Sequence, residues 1–293
     1  MGALGEVARR LFPPLKVRAE LFGMMIFLLA YGLVVSLVIQ IEHLPNIEWG
    51  AESAVVNGLG LSFLIAFRTN HAYERWWEAR KLWGQLINET RNLCLKIRTL
   101  RNIDTADLQG VAGLTATFGD ALKDHLRRRD GSDEPARKGP SGNSNAHEPA
   151  PIAGAIYDYV AGWHRRGQID GWTMLWLDEQ VSSFMDICGA CERIRNTPLS
   201  SSYRALLRHA IAIYLVVAPF YLMEDTGIAG FPMFVIAAYF LLGIEFVAEE
   251  IEEPFGAGGD NLPLERYCAT IAQSVEQLMG PVEGMATTQA TRN

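Results

Sequence analysis

The chain has no Gly-rich nucleotide loop, no Gly-x-Ser-x-Gly elbow and no His-Glu-x-x-His helix, and its six histidines are scattered. Phosphate cradling, acyl transfer by an elbow serine and zinc proteolysis therefore lack the residue patterns they need. No basic patch interleaved with aromatics occurs, and the formal net charge is -7, which argues against a nucleic-acid partner. There are only four cysteines, Cys94, Cys188, Cys191 and Cys268. All fall in segments that read as cytoplasmic, where structural disulfides are not expected. Neither a strand pattern nor an internal repeat is visible. The most telling absence is local: from Leu21 to Ile41 no residue carries a charge.

About 20 apolar residues at 1.5 Å each cross a hydrocarbon core of ~30 Å, so Leu21 to Ile41 reads as a transmembrane helix. A second such run extends from Thr226 to Ile244, bounded by Asp225 and Glu245. Two shorter runs, Ser53 to Phe67 and Ala210 to Met223, have the length of buried core helices as much as of spans. Charge arbitrates. Arg9, Arg10, Lys16 and Arg18 precede the first run, and Arg68, Arg75, Arg80 and Lys81 follow the second. Arg204 and Arg208 precede the third, while the two short links carry only Glu42, Glu52, Glu224 and Asp225. The Lys/Arg bias places both links outside and the middle region inside, giving four spans with both termini cytoplasmic. The first run does not read as a signal peptide, since it lies late, is long and has no small-residue cleavage site after it.

Directly after the uncharged run Ser53 to Phe67 comes FRTNHAYERWWEARKLWG, with no Gly or Pro before Gly84. A membrane helix is thus expected to continue unbroken into a charged, aromatic helix. Leu82, Leu86, Leu93 and Ile97 fall near helical spacing on one face of it. Further helices are expected from Thr105 to about Leu126, from Ile152 to Arg166 and from Trp172 to Arg195, with a break at Asn196-Thr197-Pro198. The expected organisation is a cytoplasmic N-terminal segment 1–20, membrane helices in 21–67 and a helical cytoplasmic domain 68–209 with a mobile loop at 127–149. Two more membrane helices follow in 210–244, then an acidic helix exit and C-terminal segment 245–280 and a disordered tail 281–293.

Four constellations stand out. Leu59, Phe63 and Phe67, spaced by four, share one helical stripe, while Gly58, Gly60, Ser62 and Ala66 offer small faces for close packing. By itself such a stripe is ordinary lipid or core contact. Arg75-Trp76-Trp77-Glu78 sets two tryptophans about 100° apart on the helix, which suits packing and no catalytic use. Glu245, Glu249 and Glu252 share a face near a helix end with Glu250 and Glu253, followed by Pro254-Phe255-Gly256. They suit the wall of an aqueous vestibule better than a metal box, because the Glu-x-x-His pairs of a di-iron bundle are missing. Cys188-Gly189-Ala190-Cys191 is a lone C-x-x-C without two further ligands nearby, so packing is its better explanation.

Four blocks in order resemble the bestrophins, specifically their bacterial homologues: Gly58 to Phe67 leading into FRTNHAYERWWEARKLWGQL, then CERIRNTPLSSSYRALLRH, EFVAEEIEEPFG and DNLPLERYCATI. The resemblance covers the chain up to about Met279. It implies an all-α membrane protein of four transmembrane helices continuous with a helical cytoplasmic domain, assembled as a homopentamer around one axial pore. It further implies a hydrophobic pore neck at Leu59, Phe63 and Phe67 and a second constriction, the cytoplasmic aperture, in the Thr197-Pro198-Leu199 turn with Leu199 as its ring. Arg75, Trp76, Trp77, Glu78, Pro254, Phe255 and Gly256 are then structural motif residues. Apolar rings of this kind gate ions by dewetting. Edge-on phenylalanines favour anions and face-on ones cations.

Animal relatives hold calcium in an acidic loop after the Pro-Phe-Gly turn. Here the loop reads Ala257-Gly258-Gly259-Asp260-Asn261, with one carboxylate, and calcium wants several. No metal or other cofactor is therefore expected, and the expected partners are inorganic ions, the lipid bilayer and further copies of the chain. The function read from this is a passive, chloride-conducting channel of the inner (plasma) membrane. A sodium-conducting channel of the same architecture is the alternative, favoured if the glutamates line water. A non-conducting scaffold or a metal-dependent membrane enzyme on the glutamate face are remoter options. A coupled transporter lacks support, because no span interior shows a charged or proline-broken site.

Overall fold

The computed structural model describes residues 15–42, 51–128 and 148–280, with side chains placed in 21–39, 58–128, 148–223 and 227–280. The expected tail 281–293, most of the loop 127–149 and most of the N-terminal segment 1–20 lie outside the described residues. Among the described residues the chain is helical throughout: α1 (Leu15–Glu42), α2 (Ala51–Arg98), α3 (Thr105–Arg127), α4 (Pro149–Arg165), α5 (Gly171–Asn196), α6 (Ser201–Thr226), α7 (Gly230–Glu252) and α8 (Leu264–Met279). They fall into two compact units, 1–76 with 198–261, and 77–197 with 262–293.

In the first unit α1, α6, α7 and the N-terminal part of α2 share one apolar core. Leu21 and Leu28 meet Leu61 and Ile65, Leu207, Ile211, Leu215 and Ala218, and Phe234, Ala238 and Leu242. Gly32 lets α1 approach α7 closely, since a Cβ there would sit 3.0 Å from the Phe234 ring. Among the described residues three helices are long and apolar enough to cross a membrane by length and composition: Leu21–Ile39, Ser201–Met223 and Gly227–Glu252. The two later ones are longer than the runs Ala210 to Met223 and Thr226 to Ile244, because helix continues into the flanking charged turns. A positive φ of 56° at Gly227 ends α6, a conformation a side chain would strain. Pro219 stands inside α6 without ending it, and Arg204 and Arg208 lie within that same apolar helix. Gly58 and Gly60 are not packing faces within the chain, for a Cβ at either would meet nothing within 4 Å.

In the second unit α3 packs on α4 and α8, and α4 on α5. Asp104 and Asp170 cap α3 and α5, their side chains accepting from the backbone N–H of Ala106 and Thr173. The expected α2 stripe is buried at Leu86, Leu93 and Ile97, and Trp83 is fully buried, stacked 5.9 Å from Tyr267. Phe118 and Phe184 meet at 5.1 Å. All four cysteines are buried thiols outside any disulfide. Apolar burial pushes the Cys94, Cys188 and Cys268 thiols up to about 12 and that of Cys191 further. The native protein should therefore leave a maleimide unconsumed at neutral pH, whereas the denatured chain takes up label on every cysteine; rapid native labelling of Cys188 or Cys191 would contradict this packing.

Candidate functional site

The site is built on α2. Its Leu61, Ile65, Arg68 and Ala72 face the chain's own core, while Leu59, Phe63 and Phe67 are 66%, 63% and 48% exposed. Two stripes of one helix thus have opposite fates. The exposed one, three large apolar side chains in a row, meets no apolar core of this chain. The Phe63 and Phe67 rings are 4.6 Å apart and cross at 68°, edge to face.

Leu199, expected to form a ring at the cytoplasmic exit, lines a groove with two of the residues expected in the neck. Phe63, Leu64, Phe67 and His71 of α2 line one groove of about 470 Å³ with Leu199, Ser200 and Tyr203. Tyr203 donates its hydroxyl hydrogen to the Leu64 carbonyl at 3.1 Å, tying the first turn of α6 to α2. Pro198 is exposed. Thr197 caps α5, its N–H and hydroxyl both reaching the Arg193 carbonyl. Of the three aperture residues, only Leu199 is placed on this groove.

Glu245, Glu249 and Glu252 do lie along one side of α7, but the solvated wall expected there is corrected for two of them. Glu245 and Glu252 are buried, and between them sits Arg68, itself only 1% exposed. Arg68 Nε lies 3.0 Å from Glu245 Oε2, and Arg68 Nη2 lies 3.6 Å from Glu252 Oε2. The remaining oxygens turn to α6: Glu245 Oε1 to Arg208 at 3.6 Å, Glu252 Oε1 to Arg204 at 3.8 Å. Glu249, nearly half exposed, pairs with Arg208 at 2.6 Å. Glu252 Oε1 also accepts the Leu199 N–H at 3.2 Å. Around Arg68 itself the contacts are close in distance without hydrogen-bond alignment, so the attraction there is coulombic. Burial of both carboxylates is tolerated because each divides its oxygens between cations on two helices. In the sequence Arg68, Arg204 and Arg208 counted only toward topology. Their signal was the four-residue step from Arg204 to Arg208 matching the carboxylate steps on α7.

The motif residues hold the end of α7. Arg75 Nε–H donates to the Glu252 carbonyl at 3.2 Å, and the Trp76 indole N–H to the Asp260 carbonyl at 3.1 Å. Last-turn carbonyls of a helix have no partner within it, so Arg75 supplies a cap, while Trp76 ties down the loop that follows. In the second unit Trp77 is exposed with the Arg80 guanidinium 5.5 Å over its ring, and Glu78 meets Arg193 at 3.3 Å. Pro254 and Phe255 are buried, and the Gly256 N–H returns to the Glu253 carbonyl.

Asn261, which drew no notice in the sequence beyond its place in the loop, closes this turn. Its Nδ2 donates to the carbonyls of Glu250 at 3.1 Å and Glu253 at 2.5 Å, and its Oδ1 accepts the Gly258 N–H. A Cβ on Gly256 would come within 3.0 Å of the Asn261 side chain. The turn is thus closed by an amide that takes up the Glu250 and Glu253 carbonyls. Asp260 is the one acidic side chain of 257–261, and the Glu250 carboxylate, its oxygens buried without a hydrogen-bond partner, comes up against Gly258. Elsewhere among the described residues, no cluster of three or more His, Cys, Asp or Glu is placed to hold a metal ion.

The sequence pattern described as bacterial/fungal bestrophin protein matches residues 6–277. A voltage-dependent anion channel-forming protein of Ralstonia nicotianae is 29% identical over 263 residues, spanning 87% of this chain and 86% of that one. A protein of the same description from Mesorhizobium japonicum is 34% identical over 231 residues, spanning 76% and 73%. A solved structure of a bacterial bestrophin homologue from Klebsiella pneumoniae superposes with a TM-score of 0.78 at 22% identity, spanning 87% of this chain and 97% of that one. At that identity the structural likeness is one of fold.

Proposed function

Since this chain belongs to the bacterial and fungal bestrophin family, we propose that it forms a passive anion channel, chloride-conducting, in the inner (plasma) membrane. Copies of α2 surround one axial pore in a pentamer, and Leu59, Phe63 and Phe67 form its hydrophobic neck. Four helices span the membrane, with the start of α2 as the pore-lining one and both termini cytoplasmic. An uncharged helix start that carries an exposed apolar stripe beside small residues suits a pore lined by its own copies.

The observation that carries the choice of anion is the pairing of the α7 carboxylates. Cation selectivity needs Glu245, Glu249 and Glu252 to present net negative charge to water. Instead Arg68, Arg204 and Arg208 match them one for one, three guanidiniums against three carboxylates. Such a balanced cluster projects little field. The rings agree with this. Phe63 and Phe67 cross at 68°, so both cannot turn their electronegative faces in one direction. The relatives named above are described as channel-forming proteins, which makes this a channel and not an enzyme.

The test is the reversal potential of the purified protein in a planar bilayer under a NaCl gradient. It should lie near the chloride equilibrium value; a potential near that of sodium overturns the anion assignment. We further propose that the channel has no cofactor and is indifferent to calcium. Submillimolar calcium should change neither conductance nor the unfolding temperature, because 257–261 carries one carboxylate and Asn261 occupies the Glu250 and Glu253 carbonyls. Activation by micromolar calcium would refute that reading.

A further inference from the structure

We propose that Glu252 is a positioning residue that holds Leu199 against the neck, so that the Pro198–Leu199 turn and Phe67 act as one constriction. This rests on the pore reading above and extends it to how the neck is set. The geometry is a relay through one carboxylate. Oε2 of Glu252 lies against Arg68, the residue next to Phe67 in α2, and Oε1 accepts the Leu199 N–H. Leu199 in turn lines the same groove as Phe63 and Phe67. Arg68 has almost no exposed surface and a second carboxylate, Glu245, on its other side, so it cannot swing to follow Glu252. Glu252 is capped from behind by Arg75, which fixes its own backbone. A buried cation, a bridging carboxylate and a main-chain N–H thus tie the approach to α6 to the neck helix. A helix-terminal turn without such a tie would swing freely about Pro198. With it, Leu199 and Phe67 move together or not at all, and removing the tie widens the passage.

The experiment uses the full chain in detergent and in liposomes. Phe67→Cys and Leu199→Cys are combined, and a short bis-methanethiosulfonate reagent is applied; the native cysteines are buried and give little background. Mass spectrometry of the linked peptides, on protein that still runs as a single chain, identifies the intrachain link. The link should form readily, slow by at least about fivefold when Glu252→Leu is added, as expected for ordinary coupling between sites, and persist near the parent rate with Glu252→Gln, which keeps an oxygen for the Leu199 N–H. In the parent without added cysteines, Glu252→Leu should raise chloride flux by a similar factor and Glu252→Gln should not. Absence of the intrachain link, or a link equally fast with Glu252→Leu, overturns the proposal, as does a Gln variant that behaves like Leu. If Glu252→Leu fails to elute as a single species, Arg204→Gln on the half-exposed flank takes its place, with a smaller slowing expected and an unchanged rate counting against the relay. Linking is read without any flux, so the expected linking pattern in a protein that passes no chloride would sink the pore reading alone and leave the positioning role standing.

Discussion

Replacing Arg68 by Met should destabilise the protein by ~3–5 kcal/mol, the usual cost of removing one member of a buried charge cluster. Two buried carboxylates, Glu245 and Glu252, would lose the cation that lies 3.0 and 3.6 Å from them. Arg204 and Arg208 are a third or more exposed and cannot follow them inward without losing water of their own. The expected result is a protein that elutes poorly from detergent extracts and unfolds at clearly lower temperature. The same argument says what should restore it. Adding Glu245→Gln and Glu252→Gln removes the uncompensated charge, so the triple variant should regain most of the loss. If the single and the triple variant were equally unstable, shape rather than charge would explain the role of Arg68.

Widening the neck should have the largest effect on conduction. Phe63→Ala combined with Phe67→Ala removes both rings of the crossed pair from every copy around the pore. Apolar constrictions a few ångströms wide exclude ions by dewetting, and that barrier collapses once water fills them. Single-channel chloride conductance is expected to rise at least about tenfold, equivalent to ~1.4 kcal/mol off the barrier. Ile213→Ala serves as control, being as exposed as Phe63 but on α6. An increase of the same size from Ile213→Ala, or none from the double variant, would mean that the α2 stripe does not line the conducting path. Assembly should survive the change, since neither ring belongs to the chain's own core.

How far the sequence reached differs from element to element, for physical reasons. The helix beginnings and ends of the second unit were legible because they are written locally. Asp104 and Asp170 cap, Pro198 breaks, and the spacing of Leu86, Leu93 and Ile97 marks a buried face. The neck stripe was visible as a four-residue spacing, and the structure places all three of its members on one exposed face. The helices α6 and α7 run on beyond the apolar runs 210–223 and 226–244 into charged turns. Arg204, Arg208, Glu245, Glu249 and Glu252 stay inside helices, since each finds an opposite charge on a facing helix rather than in water.

The glutamate face shows most clearly what a single chain of letters leaves open. Read alone, Glu245, Glu249 and Glu252 are three negative charges at the end of a span, and water is their natural surrounding. Their partners lie 37 to 184 residues away in the sequence and on two other helices, so no window of periodicity contains both halves of the cluster. Asn261 is a similar case. Its amide reaches carbonyls eight and eleven residues back, across a turn whose closure only coordinates reveal.

What the sequence determined by itself is what depends on local composition and short spacing. That covers apolar runs of membrane length, an uninterrupted helix through Arg75 and Trp76, and the family to which the four motif blocks belong. What only the tertiary structure decided is the sign and reach of the charges beside the neck, and the company Leu199 keeps. Coulomb energy and burial depend on distance between side chains from separate helices, and the packing of α2, α6 and α7 sets those distances.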